Sequence, residues 1–85
     1  MASKQQTRLI KKWEDNGYFV INLIKTNKNG ISDLIACKAG ESPIFIESKE
    51  VNDHLSALQI YRLGDLVSQG FEVYVNDTNF KTLMQ

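Results

Sequence analysis

Glu47 and Lys49 place an acid and a base two residues apart on an otherwise apolar segment. Side chains of an extended strand alternate between its two faces, so Phe45, Glu47 and Lys49 are expected on one face. An ammonium group beside a carboxylate suits chemistry on phosphate esters, because it neutralises charge that develops on the phosphate. Such a triplet also occurs by chance, and a surface salt bridge is the alternative interpretation.

Asp33 supplies a second carboxylate if its strand pairs with the strand that ends at Lys49. Residues 39–42 have the composition of a turn, and a hairpin that closes near Gly40 sets Asp33 opposite Glu47. Two carboxylates that close repel each other, and Mg²⁺ or Mn²⁺, which prefer oxygen ligands, would relieve that repulsion. Such an ion polarises phosphate and lowers the pKa of water. The spacing predicts metal-dependent phosphodiester hydrolysis by these three side chains.

The elements that must position these side chains follow from apolar periodicity and turn residues. The sequence predicts helices over about residues 4–15 and 56–69, and strands over 18–24, 31–38, 43–49 and 71–75. Ser56 and Gln59 have the spacing of a capping box, and Asp77 is expected to cap a short C-terminal helix. The order αβββαβ indicates an α+β (mixed α/β) domain, whose central mixed sheet is flanked by helices.

Length and composition limit the class of protein. Eighty-five residues predict a single domain over residues 1–85. The lone Cys37 cannot form an internal disulfide, and the polar N-terminus lacks the apolar stretch of a signal peptide. No apolar run reaches the roughly 18–20 residues that cross a bilayer. We therefore expect a cytoplasmic protein.

Charge is distributed unevenly along a chain whose formal net charge is zero. Residues 1–38 carry seven Lys or Arg and three acids, and residues 39–85 carry three and seven, so the halves are +4 and −4. A basic N-terminal half can follow a DNA backbone, and the turn residues Lys25, Thr26, Asn27 and Lys28 are candidate phosphate ligands. The alternatives are solvated surface charges and a plain polar loop.

An ordered set of short motifs resembles a known family. The motifs are Gly30–Ile35, Glu47–Lys49, Leu55-Ser56-x-x-Gln59, and Gly70 followed by a strand. Together they resemble the virus-type replication-repair nuclease (VRR-NUC) domain of the PD-(D/E)xK superfamily over roughly residues 5–80. The resemblance implies a restriction-endonuclease-like core. It also implies a structure-specific DNA endonuclease of DNA repair, with four-way (Holliday) junctions cut by a homodimer as one form of that activity.

The resemblance assigns roles position by position. Asp33 and Glu47 match the metal-binding acids, the carbonyl of Ser48 matches a further metal ligand, and Lys49 matches the catalytic lysine. Ser32 replaces the usual proline before the aspartate. Many members also carry a glutamate near the start of the first helix, where this chain has Ser3 and Lys4. The number of metal ions, one or two, therefore stays open.

Two glutamines complete the site that the resemblance implies. Gln59 matches a glutamine that faces the active site from the second helix, with the capping box as its alternative role. Gln6 matches a glutamine on the first helix, with a solvated side chain as the alternative. Two other functions also remain open: a catalytically inactive DNA-binding module, and a protein-interaction domain of a phage.

Overall fold

The chain forms a five-stranded mixed sheet with helices packed against it. A computed structural model describes residues 3–85 of the chain. The elements are α1 (Lys4–Asp15), β1 (Phe19–Asn22), β2 (Leu34–Cys37), β3 (Ile44–Glu47), α2 (Ala57–Ser68), β4 (Glu72–Val75), β5 (Thr78–Asn79) and α3 (Phe80–Leu83). The strands lie in the order β1-β2-β3-β4-β5, and β3 and β4 are parallel while the other neighbours are antiparallel. The predicted fold class and the αβββαβ order are confirmed.

Each face of the sheet buries its own apolar cluster. On the α1 side, Leu9 packs with Leu34, Ala36 and Ile46. On the α2 side, the cluster comprises Leu63, Val73, Val75 and Phe80, with Phe45 packed against it. Because successive strand residues alternate faces, Glu47 lies on the same side of β3 as Phe45 and points toward α2.

Local sequence explains where the two long helices begin. The Ser3 hydroxyl accepts a hydrogen bond from the backbone N–H of Gln6, which caps α1. Ser56 and Gln59 form the predicted capping box, in which each side chain bonds the other residue's backbone N–H. These caps satisfy amide groups that a helix N-terminus otherwise leaves without partners.

The turn before Asp33 is fitted closely against α2. Gly30 has a φ of +82°, and a Cβ there would lie 2.8 Å from Cγ of Leu58. The carbonyl of Asn29 also accepts a hydrogen bond from Nε of Arg62 at 3.0 Å. A glycine is therefore needed both for the backbone conformation and for the close approach of the turn to the helix.

The C-terminal region corrects one prediction. Asp77 does not cap α3; the side chain of Asn79 does, by accepting from the backbone N–H of Lys81. Asp77 instead pairs with Arg8 at 2.9 Å and Lys12 at 2.6 Å, two residues one turn apart on α1. Hydrogen bonds from Lys12 and Arg8 hold its pKa below the usual value. The short strand β5 was not predicted, since the apolar pattern ends with β4.

Candidate active site

The strand register brings Asp33 to the end of β3. β2 and β3 pair Leu34 with Ile46 and Ile35 with Phe45, so the next position along the ladder sets Asp33 opposite Glu47. This is the register that a hairpin centred near Gly40 predicts. Oδ2 of Asp33 accepts hydrogen bonds from the backbone N–H of Ser48 at 3.0 Å and from its hydroxyl at 2.7 Å. One carboxylate oxygen thus anchors Asp33 to the segment after β3.

Glu47 is an almost fully buried carboxyl group with one unsatisfied oxygen. Its exposed fraction is 2%, its Oε2 accepts from Nε2 of Gln59 at 2.9 Å, and its Oε1 is buried with no hydrogen-bond partner within residues 3–85. Burial, and then the nearby charge of Asp33, raise the pKa of Glu47 to about 8, although the ammonium of Lys49 and the backbone N–H of Asp33 oppose the shift. Without a cation beside it, Glu47 therefore holds a proton at neutral pH.

Gln59 forms the capping box and also contacts Glu47, while its catalytic role stays a prediction. Its Oε1 accepts from the backbone N–H of Ser56 at 2.9 Å, while its Nε2 donates to Glu47. The capping box therefore fixes which end of the amide faces the carboxyl group: the oxygen is used by the helix N-terminus and the nitrogen is left for Glu47. A residue that begins α2 also orients an acid on β3.

Lys49 lies beside the two acids with its side chain largely sheltered. The side chain is 15% exposed, and Nζ lies 3.7 Å from Oδ2 of Asp53, which is itself 58% exposed. Lys49 also lowers the pKa of Glu47, so its charge reaches the carboxyl group. The ion pair with Asp53 is long and open to solvent, and it leaves the ammonium available to a phosphate.

The VRR-NUC domain profile matches residues 2–79. The chain belongs to the VRR-NUC domain family. A search of curated proteins found no match. VRR-NUC domains are nucleases of the PD-(D/E)xK type, which generally depend on metal, so membership places this chain in a nuclease family and implies DNA as the substrate. No helix within residues 3–85 is long and apolar enough to span a membrane.

The donor set of this VRR-NUC domain fits a divalent cation held by few protein ligands. Residues 3–85 contain no cluster of three or more His, Cys, Asp or Glu side chains suited to a metal. The oxygens that remain are Oδ1 of Asp33, Oε1 of Glu47 and the carbonyl of Ser48, for which the described part of the chain provides no hydrogen bond. The buried, partnerless Oε1 is the observation that fits, because a cation would satisfy it.

Gln5 is the α1 glutamine whose side chain contacts the active-site segment of this VRR-NUC domain. Nε2 of Gln5 donates to the carbonyl of Lys49 at 3.4 Å. Gln6 was the candidate that the sequence suggested, and its backbone N–H donates a hydrogen bond to the Ser3 hydroxyl. Its side chain is half-buried. The catalytic role of Gln6 stays a prediction.

A groove runs from the predicted DNA-binding turn to Asp33. It has a volume of about 300 Å³, and Lys25, Thr26 and Lys28 line it together with Asp33, whereas Asn27 does not. The hydroxyl of Thr26 accepts from the N–H of Lys28 and donates to its carbonyl, at 3.1 and 3.0 Å, so the turn is preformed. None of the salt bridges within residues 3–85 involves either lysine.

Sequence reasoning missed Asn76, which contacts the backbone of the active strand. Its Oδ1 accepts from the N–H of Lys49 at 2.9 Å, and its Nδ2 donates to the carbonyl of Lys49 at 3.0 Å. Its own N–H donates to the carbonyl of Glu47 at 2.8 Å. The available signal was an asparagine directly after a predicted strand, since asparagine tolerates the left-handed backbone conformation that ends strands in turns.

Proposed function

We propose that the chain is a Mg²⁺- or Mn²⁺-dependent endonuclease that hydrolyses phosphodiester bonds in branched DNA. The observation that carries the proposal is the position of Asp33 opposite Glu47, with a buried Glu47 oxygen that has no hydrogen-bond partner within residues 3–85. A carboxylate pair that shares a cation would restore the charge that burial removes from Glu47. The alternative, a surface salt bridge among Asp33, Glu47 and Lys49, does not form within residues 3–85, where Lys49 pairs with Asp53.

The roles of the side chains follow from their contacts. Asp33, Glu47 and the Ser48 carbonyl would hold the ion, which supplies Lewis-acid polarisation of the phosphate and water of lowered pKa. Gln59 holds one oxygen of Glu47 so that the other faces the ion. Lys49 neutralises charge on the phosphoryl oxygens while water forms a bond to phosphorus and an ester P–O bond breaks. The attacking water gives up a proton to solvent, and the leaving oxygen takes one up from solvent.

The turn before β2 would bind DNA next to the scissile bond. Lys25 and Lys28 lie along the groove that ends at Asp33, and Thr26 keeps the turn in a fixed shape. Two other bases of the N-terminal half, Arg8 and Lys12, share the single carboxylate of Asp77. Lys25 and Lys28, by contrast, form no salt bridge within residues 3–85.

A homodimer that presents two active sites to a four-way junction would form through the edge of the sheet at β1. This strand carries no charge or proline that would protect an edge, and Phe19 and Ile21 on it are 71% and 39% exposed. The N–H of Leu23 bonds to β2, so alternation leaves the backbone groups of Val20 and Asn22 facing outward. They flank Ile21 symmetrically, which suits antiparallel pairing of two β1 strands about a two-fold axis.

Cleavage assays with a panel of DNA substrates test the proposal. With Mn²⁺ the wild-type protein should cut a synthetic four-way junction in preference to linear duplex. Asp33→Ala should cut neither substrate while keeping its circular dichroism spectrum, and EDTA should abolish the wild-type activity. Light scattering should give twice the monomer mass. A monomer that nicks only linear duplex would remove the resolvase form of the proposal.

An inactive DNA-binding module is the second candidate, and the N-terminus of α1 favours it. Ser3 and Lys4 stand where many family members carry a glutamate, and Ser3 serves as a helix cap instead. Calorimetric titration with Mn²⁺ separates the two candidates. The nuclease should bind Mn²⁺ at millimolar concentration or below, whereas an inactive module that binds DNA should show no heat of metal binding.

A further inference from the structure

We infer that Asn76 is a positioning residue that holds Lys49 in place for phosphodiester cleavage; the inference rests on the proposed function. Asn76 follows β4, and β4 lies parallel to β3 with Glu47 paired to Val75. Asn76 is therefore next to the point where β3 ends and Lys49 begins to leave the sheet.

Asn76 takes over the pairing that the strand no longer provides. Its backbone N–H bonds to the carbonyl of Glu47, and its side-chain amide bonds to both the N–H and the carbonyl of Lys49. The side chain thus satisfies both backbone groups of one residue, as a neighbouring strand does. Lys49 is kept in extension from Glu47, which keeps its ammonium on the same side as the carboxyl group.

The backbone of Asn76 is adapted to this contact. Its φ is +53°, in the left-handed region that asparagine tolerates better than most residues. A glycine would adopt the same backbone conformation with less strain, but it would offer no amide to Lys49. The choice of asparagine is therefore explained by its side-chain bonds rather than by the turn alone.

The chain contains a matched control in Asn52. This residue also has a positive φ, +68°, and lies only three residues after Lys49 in an exposed turn. None of the hydrogen bonds found within residues 3–85 uses its side chain. Asn52→Gly and Asn76→Gly thus make the same chemical change at two left-handed positions, and only the second removes a contact with Lys49.

The test compares the two glycine variants in single-turnover cleavage of a four-way junction with Mn²⁺. Asn76→Gly should lower the cleavage rate roughly 10- to 100-fold, as expected for a misplaced catalytic group, with junction affinity and Mn²⁺ affinity unchanged. Asn52→Gly should cut at the wild-type rate. Wild-type cleavage by Asn76→Gly would overturn the inference, since it would show that only the backbone conformation matters.

Amide hydrogen exchange gives a second readout that does not require activity. The N–H of Lys49 should exchange about fivefold faster in Asn76→Gly, because it loses its hydrogen bond, while the N–H of Ser48 stays bound to Asp33. Unchanged exchange at Lys49 would overturn the inference. Should the wild-type protein cut no DNA, the proposed function fails, and the exchange measurement still decides whether Asn76 holds Lys49.

Discussion

Replacing Glu47 by glutamine should make the metal-free protein more stable at neutral and alkaline pH. The substitution keeps the size of the side chain and an oxygen that can accept from Nε2 of Gln59. It removes the negative charge that burial and Asp33 disfavour. A buried group whose charge destabilises the fold is expected where function requires that charge.

The magnitude follows from the pKa of Glu47. The pKa of Glu47 is about 8 in the folded protein and 4.5 for a solvent-exposed glutamate, so the folded state binds a proton more readily than the unfolded state. The stabilisation from that proton is present in full below pH 4.5 and is lost as the pH rises through about 8. The slope is about 1.4 kcal/mol per pH unit between these values. Between about pH 5.5 and about pH 7.5, the wild type should lose roughly 2–3 kcal/mol relative to Glu47→Gln.

Urea unfolding in EDTA, followed by the fluorescence of Trp13, measures this difference. Trp13 is the single tryptophan and packs edge-on against Tyr18 and Tyr74, with ring centroids 5.0 and 5.6 Å away. Its emission should therefore report loss of the core. The exposed Glu14 on α1 provides the control, because Glu14→Gln should follow the wild-type pH dependence.

Two results would refute this reasoning. One is a free energy of unfolding for Glu47→Gln that parallels the wild type between about pH 5.5 and about pH 7.5, because the buried carboxyl would then carry no raised pKa. The other is a wild-type stability that increases with pH over that range. Added Mn²⁺ should stabilise the wild type and leave Glu47→Gln unchanged, since an ion that binds only the folded state stabilises it by mass action.

Three further variants test other parts of the account. Gln59→Ala should destabilise the fold by about 1 kcal/mol through loss of the capping box, measured by urea unfolding, and should raise the Mn²⁺ concentration needed for cleavage. Lys28→Ala should weaken DNA binding and reduce the slope of log affinity against log salt by about one, whereas Lys11→Ala, whose ammonium pairs with Asp15, should do so much less. Ile21→Lys should give a monomer by light scattering at concentrations where the wild type is dimeric, because it places a charge at the proposed two-fold axis.

The parts of the site that depend on strand periodicity could be predicted from the sequence. One turn centred near Gly40 sets the β2–β3 register, and that register alone brings Asp33 opposite Glu47. The capping box was also readable, because Ser56 and Gln59 are three residues apart. The contact of Gln59 with Glu47 could not be predicted in this way, because it depends on how α2 packs against the sheet.

Contacts between residues far apart in the chain could not be predicted in the same way. Asn76 and Lys49 are 27 residues apart, and their contact depends on β4 lying parallel to β3. Asp77 was expected to cap a helix because it is an acid before a short apolar segment. It pairs with Arg8 and Lys12 instead, since the tertiary fold brings a strongly basic face of α1 to that loop. The helix-capping rule, which uses local sequence alone, therefore fails for Asp77, because the tertiary structure places two cations beside its carboxylate.

The shared cation is tested most directly by a crystal structure of the protein soaked in Mn²⁺, with anomalous scattering to locate the ion. We expect one peak bound by Oδ1 of Asp33 and Oε1 of Glu47 at roughly 2.1 Å, with the carbonyl of Ser48 beside it and no such peak in Asp33→Ala. A soaked wild-type crystal that shows no ion between the two carboxyl groups, while Oε1 of Glu47 stays buried and unpartnered, would contradict the account.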